Sequence, residues 1–262
     1  MTRAAAIASA MNFDDALKRH RPRVWFRFKF LKYKYLKRGE PELWLIRHLV
    51  EPGTTALDVG ASIGIYAAEM ARYADKVIAF EANPQVAAFA RSVAARNVEV
   101  INVALSSHAG RTTLTVPLNA RGRAVTELAS IAPKQAGAGI AIDVETRRLD
   151  DFPIANCSFV KIDVEGHEEA VLDGASALIA AQRPVLMIEL VEAFNPGVVA
   201  RLTGRYAALS YRVFFSKGEL KPIVEFDAAR DQDEALMPSR DYVANFFFIP
   251  EEKCERVLAR LA

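Results

Sequence analysis

Thr55-Ala-Leu-Asp-Val-Gly-Ala-Ser-Ile-Gly64 joins a short apolar run to a glycine-bearing turn, and a helical pattern over residues 65–73 follows. Strand, tight turn and helix in that order open a β-α-β unit. Gly60 permits the turn, and Gly64 lets the helix approach a ligand or strand closely. The start of that helix offers unpaired N–H groups and a favourable field to an anionic group. Asp58, at the strand end, is placed to bind something cationic, directly or through water. A dinucleotide site needs G-x-G-x-x-G. Counted from Gly60, those positions are Gly60, Ser62 and Ile65, so only the first fits, and no P-loop lysine follows.

The alternation continues on both sides. Residues 76–81 read as a second strand and Pro84 opens a helix whose apolar residues are Val86, Phe89, Ala90, Val93 and Ala94, with Asn97 as its stop. Residues 98–105 read as a third strand, 159–164 as a fourth and 184–190 as a fifth, nearly all apolar, with a helix over 168–181 between the last two. A helix over 198–208 and strands at 211–215 and 242–249 close the chain. Upstream, 41–50 reads as a short amphipathic helix with Leu43, Ile46, Leu49 and Val50 inward. Residues 106–150 break the rhythm: 111–116 alternates like a strand, and 119–139 is a polar, Gly/Ala-rich loop, a candidate lid. Repeated β-α-β units predict an α/β fold with a doubly wound parallel sheet, whose ligands sit at the carboxyl ends of the strands.

Two of those ends carry acids. Glu81, ending the second strand, can accept hydrogen bonds from both hydroxyls of a ribose. In Val160-Lys-Ile-Asp-Val-Glu-Gly-His-Glu168, strand alternation aims Lys161, Asp163 and Glu165 to one face and Ile162 and Val164 to the other. Gly166 allows a turn, and Glu168 and Glu169 fall in a helix's first turn, where negative charge is favourable. Asp163, Glu165 and His167 converge on the rim and are the candidate catalytic residues. A carboxylate or neutral imidazole there can take a proton from an attacking alcohol. Asp163, Glu165 and Glu189 could instead offer oxygens to Mg²⁺.

Together these residues resemble the FkbM family of S-adenosylmethionine-dependent methyltransferases. The resemblance covers roughly residues 52–250 and is most specific over 160–168, with Leu172-Asp-Gly-Ala175 behind it. Asp58–Gly64, Phe80-Glu81, Asn102-Val-Ala-Leu-Ser106 and residues 184–189 support it. It implies the class I methyltransferase fold, a seven-stranded sheet whose last strand runs antiparallel. By that resemblance Asp58, Gly60, Ala61, Ser62 and Gly64 hold the methionine end of the cofactor. Glu81 and Ala82 take the ribose side, and Asn102 to Ala104 border the adenine. Ser62 departs from the family, which often has asparagine there. The acceptor is expected to be a hydroxyl on a sugar, glycolipid or secondary metabolite. The competing readings are a nucleotide-cofactor oxidoreductase and a cofactor-binding scaffold without turnover.

Composition sets the outer limits. The chain has 262 residues, 52% of them hydrophobic, enough for a packed core and against disorder. Cys157 and Cys254 cannot build a disulfide framework or a zinc knuckle, which fits a reducing compartment. No run approaches a membrane span, and a cytoplasmic protein with peripheral membrane association is expected. Residues 18–38 hold ten Lys/Arg, no acid and six aromatics, so against a net charge of +2 the remainder carries −8. This splits the chain into a basic, aromatic-rich, helical N-terminal extension (1–39) and a methyltransferase domain (40–262). The extension is expected to cap the domain or to meet an anionic membrane surface or glycolipid, with nucleic acid a weaker expectation.

Overall fold

The computed structural model describes residues 17–35, 40–119, 122, 124–132, 139–237, 239 and 241–261. The strands are β1 (Thr55–Val59), β2 (Lys76–Phe80), β3 (Val98–Ile101), β4 (Ala104–Leu105), β5 (Gly110–Pro117), β6 (Gly139–Arg147), β7 (Cys157–Ile162), β8 (Val185–Glu189), β9 (Tyr211–Lys217), β10 (Glu219–Pro222) and β11 (Asn245–Pro250). The helices used below are α1 (Pro22–Tyr35), α2 (Ile65–Met70), α3 (Pro84–Val93), α4 (Glu168–Asp173), α5 (Ser176–Gln182), α6 (Val198–Ala207) and α7 (Glu251–Leu261).

The main sheet runs β10-β9-β11-β8-β7-β1-β2-β3. β3, β2, β1, β7 and β8 are parallel, and β11, the last strand of the chain, is antiparallel to both its neighbours. This matches the expected doubly wound architecture with one addition. The sheet has eight strands rather than seven, because β10 pairs antiparallel on the edge of β9.

Period-two alternation sends each strand's residues to two apolar layers. Leu57, Phe80, Val160, Ile188 and Phe248 pack with Val171, Leu172, Ile179, Leu202 and Tyr206 of α4 to α6. Ala56, Val77, Phe159, Met187 and Phe247 pack on the other face with Trp25 and Phe26 of α1, Met70 of α2, and Cys254 and Val257 of α7. Helix α1 of the N-terminal extension therefore shares a core with the sheet. The Trp25 ring meets Phe89 of α3 edge-on at 5.5 Å. Lys34 is buried and paired with Glu69 at 2.5 Å. The segment at 41–50 folds inward as expected, with Leu43, Ile46, Leu49 and Val50 all buried.

Several expected boundaries move. Residues 98–105 form two strands in two sheets, because Asn102 donates its side-chain amide to the carbonyls of Glu81 and Ala82 and turns the chain off the β2 ladder. β4 instead joins a second, three-stranded sheet ordered β4-β6-β5, whose β6 lies where only loop and irregular sequence was expected. The helix expected over 168–181 breaks at Gly174. A Cβ there would stand 2.1 Å from the Ser106 carbonyl oxygen, so this close crossing admits only glycine. β10 and α7 were not expected.

Candidate active site

The carboxyl ends of β1, β2, β7 and β8 open into a cavity of about 260 Å³. α1 contributes Lys29 and Tyr33 to the lining, and Thr126, Ala129, Ser130 and Ile131 line it from the segment after β5. This segment is fastened: Ser130 Oγ donates to the Glu165 carbonyl at 2.7 Å, and Ser130 pairs with Thr115 of β5 through the backbone. Of the stretch read as a candidate lid, Thr126, Ala129, Ser130 and Ile131 line the cavity. Residues 120–121, 123 and 133–138 of that stretch lie outside the described residues.

The first wall is the turn after β1. Gly60 (φ 78°), Ser62 (φ 48°) and Gly64 (φ 89°) are left-handed. Gly60 has a second reason to be glycine, since a Cβ would lie 1.8 Å from the Asp163 carbonyl oxygen. At Gly64 the nearest atom to such a Cβ is 4.0 Å away, so its role is the left-handed cap of α2 and not the close approach expected. Ser62 occupies a conformation that asparagine tolerates better than most residues. The turn aims one backbone N–H at an acid: Glu81 Oε2 accepts from Ser62 N, while Oε1 accepts from Asn83 N just after β2, both at 2.8 Å. Burial raises the Glu81 pKa above the ordinary range, against those two bonds. Each oxygen keeps a lone pair for a further donor.

Asp58 lies beneath this turn and is 1% exposed. Neither of its oxygens has a side-chain or well-formed backbone hydrogen bond among the described residues. Burial pushes its pKa up to about 6, although the Lys161 ammonium beside it pulls the other way. Asp58 and Lys161 are register partners across β1 and β7, which places them side by side on one face. A buried carboxylate left this way is costly, and its position in the cavity suits a cationic ligand group.

The second wall is the turn after β7. Lys161 Nζ is 2.8 Å from Asp163 Oδ2 and stands 4.5 Å over the Tyr66 ring. Burial disfavours the Lys161 charge, but Asp163, Asp58 and Glu40 outweigh it and raise its pKa. Tyr66 in turn donates to Glu40 at 2.6 Å. Carboxylate oxygens of Asp163, Glu165 and Glu189 lie within 4.8 Å of one another. Burial and the Asp163 charge hold Glu189 well above the usual range. The Asp163 pKa is lowered despite burial, because Lys161 and a hydrogen bond with Glu189 favour its anion. The Lys161 ammonium and the hydrogen bond between Asp163 and Glu189 offset part of the repulsion in this cluster. Glu165 reaches it differently from the expected strand alternation. β7 ends at Ile162, and Glu165 (φ 57°) and Gly166 (φ 97°) make a left-handed pair that turns the chain. Left-handed backbone at a non-glycine residue is strained and clusters at functional sites.

His167 lines the cavity with Nε2 3.0 Å from Ser106 Oγ. Burial and the nearby His108 lower its pKa, which favours the neutral ring. Glu168 and Glu169 stay out of the cavity. Glu168 is buried and accepts from Gly166 N, while Glu169 pairs with Arg201 at 2.7 Å.

Of the residues singled out from sequence, Asp58, Gly60, Ala61, Ser62, Glu81, Ala82, Ala104, Asp163, Glu165 and His167 line this one cavity. Gly64 and Asn102 do not. Gly64 caps α2, and Asn102 pins the β2 end from behind. Lys29, Tyr33, Glu40 and Tyr66 were not anticipated. Lys29 and Tyr33 stand one turn apart on α1, but that helix is apolar on both sides, so its inward face carries no distinctive pattern.

The large, mostly parallel sheet with β11 antiparallel between β8 and β9 is a class I methyltransferase fold. Residues 58–211 match the model of the methyltransferase FkbM domain. The chain belongs to this family of S-adenosylmethionine-dependent methyltransferases. Comparison with curated proteins finds no match. Among solved structures, the chain is similar to the methyltransferase FkbM from Methylobacillus flagellatus KT. That match has 15% identity and a TM-score of 0.49, and covers 93% of this chain and 60% of the other. The chain thus spans about 60% of that protein's length. A precorrin-6y C5,15-methyltransferase from Geobacter metallireducens GS-15 has 15% identity and a TM-score of 0.44, over 83% and 92% of the two chains. SMU.1697c from Streptococcus mutans, a putative methyltransferase in complex with SAH, has 10% identity and a TM-score of 0.44, over 79% and 94%.

Proposed function

We propose that the protein transfers a methyl group from S-adenosylmethionine to a hydroxyl oxygen of a sugar, glycolipid or secondary metabolite. The observation that carries this reading is the pairing, in one cavity, of the β1 turn and Glu81 with the acidic rim of Asp163, Glu165, Glu189 and His167.

The residues fit the cofactor's charges. Among the described residues that line the cavity, Lys29 and Lys161 face the carboxyls of Glu40, Asp58, Glu81, Asp163, Glu165 and Glu189. This acidic excess suits a ligand that carries an ammonium and a sulfonium. Asp58 would take the ammonium, which supplies the partner its buried oxygens lack. Lys161 is already held by Asp163, so Lys29 is the amine left to meet the carboxylate. Glu81 would hold the ribose hydroxyls, and Ala82, Ala104 and Leu105 would line the adenine side. When bound, the cofactor supplies an electrophilic methyl carbon.

On the other wall, the anionic Asp163 accepts a hydrogen bond from the acceptor hydroxyl and fixes its oxygen for in-line attack. Glu165 orients the acceptor. Asp163 takes that one proton as the new oxygen–carbon bond forms and the methyl carbon's bond to sulfur breaks, its electron pair staying on the sulfur of the departing S-adenosylhomocysteine, while His167 lines the same wall. Holding the acceptor close supplies much of the rate, because methyl transfer needs little else from the protein.

The reading is tested by calorimetric titration with S-adenosylmethionine and S-adenosylhomocysteine, with NAD as control and with either Mg²⁺ or a chelator present. One-to-one binding of the first two, none of NAD, and no effect of the chelator is the expected result. NAD binding, or binding of neither sulfur compound, would overturn it.

A further inference from the structure

Helix α1 has two faces of different use. Inward, Trp25 and Phe26 are buried in the core, and Lys29 and Tyr33 line the cavity. Outward, Val24, Phe28, Leu31 and Tyr35 are 45%, 66%, 40% and 52% exposed. Their spacing of four, three and four residues puts them on one stripe, within about 60° at roughly 100° per residue. Exposed cations border it, Arg27 on one side and Arg21 and Lys32 on the other. No acid occurs between residues 17 and 35. Trp44 extends the stripe: its ring meets Tyr35 edge-on at 5.4 Å and is 41% exposed, while its indole N–H donates to the Lys34 carbonyl.

Single exposed apolar side chains need no explanation, but an aligned row of them does. We propose that this face docks on an anionic lipid bilayer, with α1 lying in the interfacial plane. Charge complementarity selects that occupant. An apolar stripe between rows of Arg and Lys with no acid is the pattern of an interfacial helix, and Trp44 and Tyr35 are residues suited to the headgroup level. Single-stranded RNA fits less well. Its bases stack on aromatic faces, and Val24 and Leu31, which form half of the stripe on the helix, offer none. Because the opposite face of α1 is a wall of the cavity, docking sets that wall directly beneath the lipid headgroups. Acceptors held in the interface would then be near the site.

Flotation of the full chain with vesicles provides the test. One set contains phosphatidylcholine alone and the other includes about a third phosphatidylglycerol. The chain is expected to float with the anionic set only, and less so as salt rises. Phe28→Ser with Leu31→Ser, and separately Arg27→Gln with Lys32→Gln, should each weaken binding about tenfold. All four residues lie off the cavity, so affinity for S-adenosylhomocysteine and thermal unfolding should stay as in the parent. Brominated lipid should quench the emission of Trp44, and Trp44→Phe should remove that quenching while buried Trp25 still emits. No preference for the anionic vesicles, or binding indifferent to the apolar pair, overturns the proposal. So does binding of an RNA oligomer without vesicle binding, or self-association through this face in sedimentation velocity.

Discussion

The turns that follow β1 and β7 leave neighbouring strands and enter helices, and both depend on left-handed backbone. They nevertheless present opposite chemistry to the cavity between them. The β1 turn offers small residues and N–H groups, one of which binds Glu81. The β7 turn offers carboxylates, an imidazole and the carbonyl of Asp163, which packs against Gly60. The difference follows from where each turn places its glycines. Gly60 is small because Asp163 needs the space, so one wall's composition is set by the other's position. Gly166 only reverses the chain, which leaves its neighbours Glu165 and His167 free to carry polar side chains.

Breaking the contact between the two turns should have the largest effect. Gly60→Ala puts a Cβ into the Asp163 carbonyl and strains a φ of 78°, so a loss of more than about 3 kcal/mol in urea unfolding is expected. Gly64→Ala is its control. With its nearest neighbour 4.0 Å away it should cost only the left-handed backbone, about 1–2 kcal/mol. Equal losses at the two sites would refute the packing argument.

The division of labour is tested next by one substitution on each wall. Asp163→Asn should lower kcat by about 10²–10⁴-fold while the Kd for S-adenosylhomocysteine moves by less than about threefold. Glu81→Ala should do the reverse first, weakening that Kd by about ten- to a hundredfold, the range of a lost charged hydrogen bond. If both variants changed only cofactor affinity, the acceptor assignment of the β7 turn would fall.

The smallest effect is electrostatic. Asp58 titrates near 6 in the folded protein and near its ordinary value when unfolded, so the folded state holds the extra proton between those limits. Stability gained from this group is full below about pH 4 and is lost as pH rises through about 6, at most roughly 3 kcal/mol. Urea unfolding at pH 4.5 and 6.5 should show this decline, and Asp58→Asn should flatten it. An ammonium bound beside Asp58 would drive its proton off, so cofactor binding near pH 5.5 should release a proton, measurable as heat that varies with the buffer.

Much of the site was readable because its residues sit at strand ends, where periodicity itself supplies position. Alternation put Lys161 and Asp163 on one face, and the register of β1, β7 and β8 adds Asp58 and Glu189 to it. Glu165 joins them for a reason alternation does not contain, a left-handed residue beyond the strand. The doubly wound parallel sheet was legible from the repeated β-α-β pattern, and its cover on both faces from the apolar run of β8. The separation of β3 from β4 was not, because it depends on Asn102 reaching back to carbonyls twenty residues earlier. β6 alternates Ile140, Ile142 and Val144, yet it starts at the end of the Gly/Ala-rich stretch read as loop, and its remaining residues carried no assignment. Lys29 and Tyr33 were hidden for a different reason. A helix with apolar residues on two sides does not disclose which one faces the protein.

β10 has a consequence for the isolated protein. An exposed sheet edge offers unpaired N–H and C=O groups to any other chain. Here that edge is only four residues long. It carries Glu219 and Lys221 with their charges 3.9 Å apart, and Pro222 lacks a backbone donor. A strand so short and charged is a poor template for further pairing, so this side of the sheet should resist aggregation when the protein is concentrated.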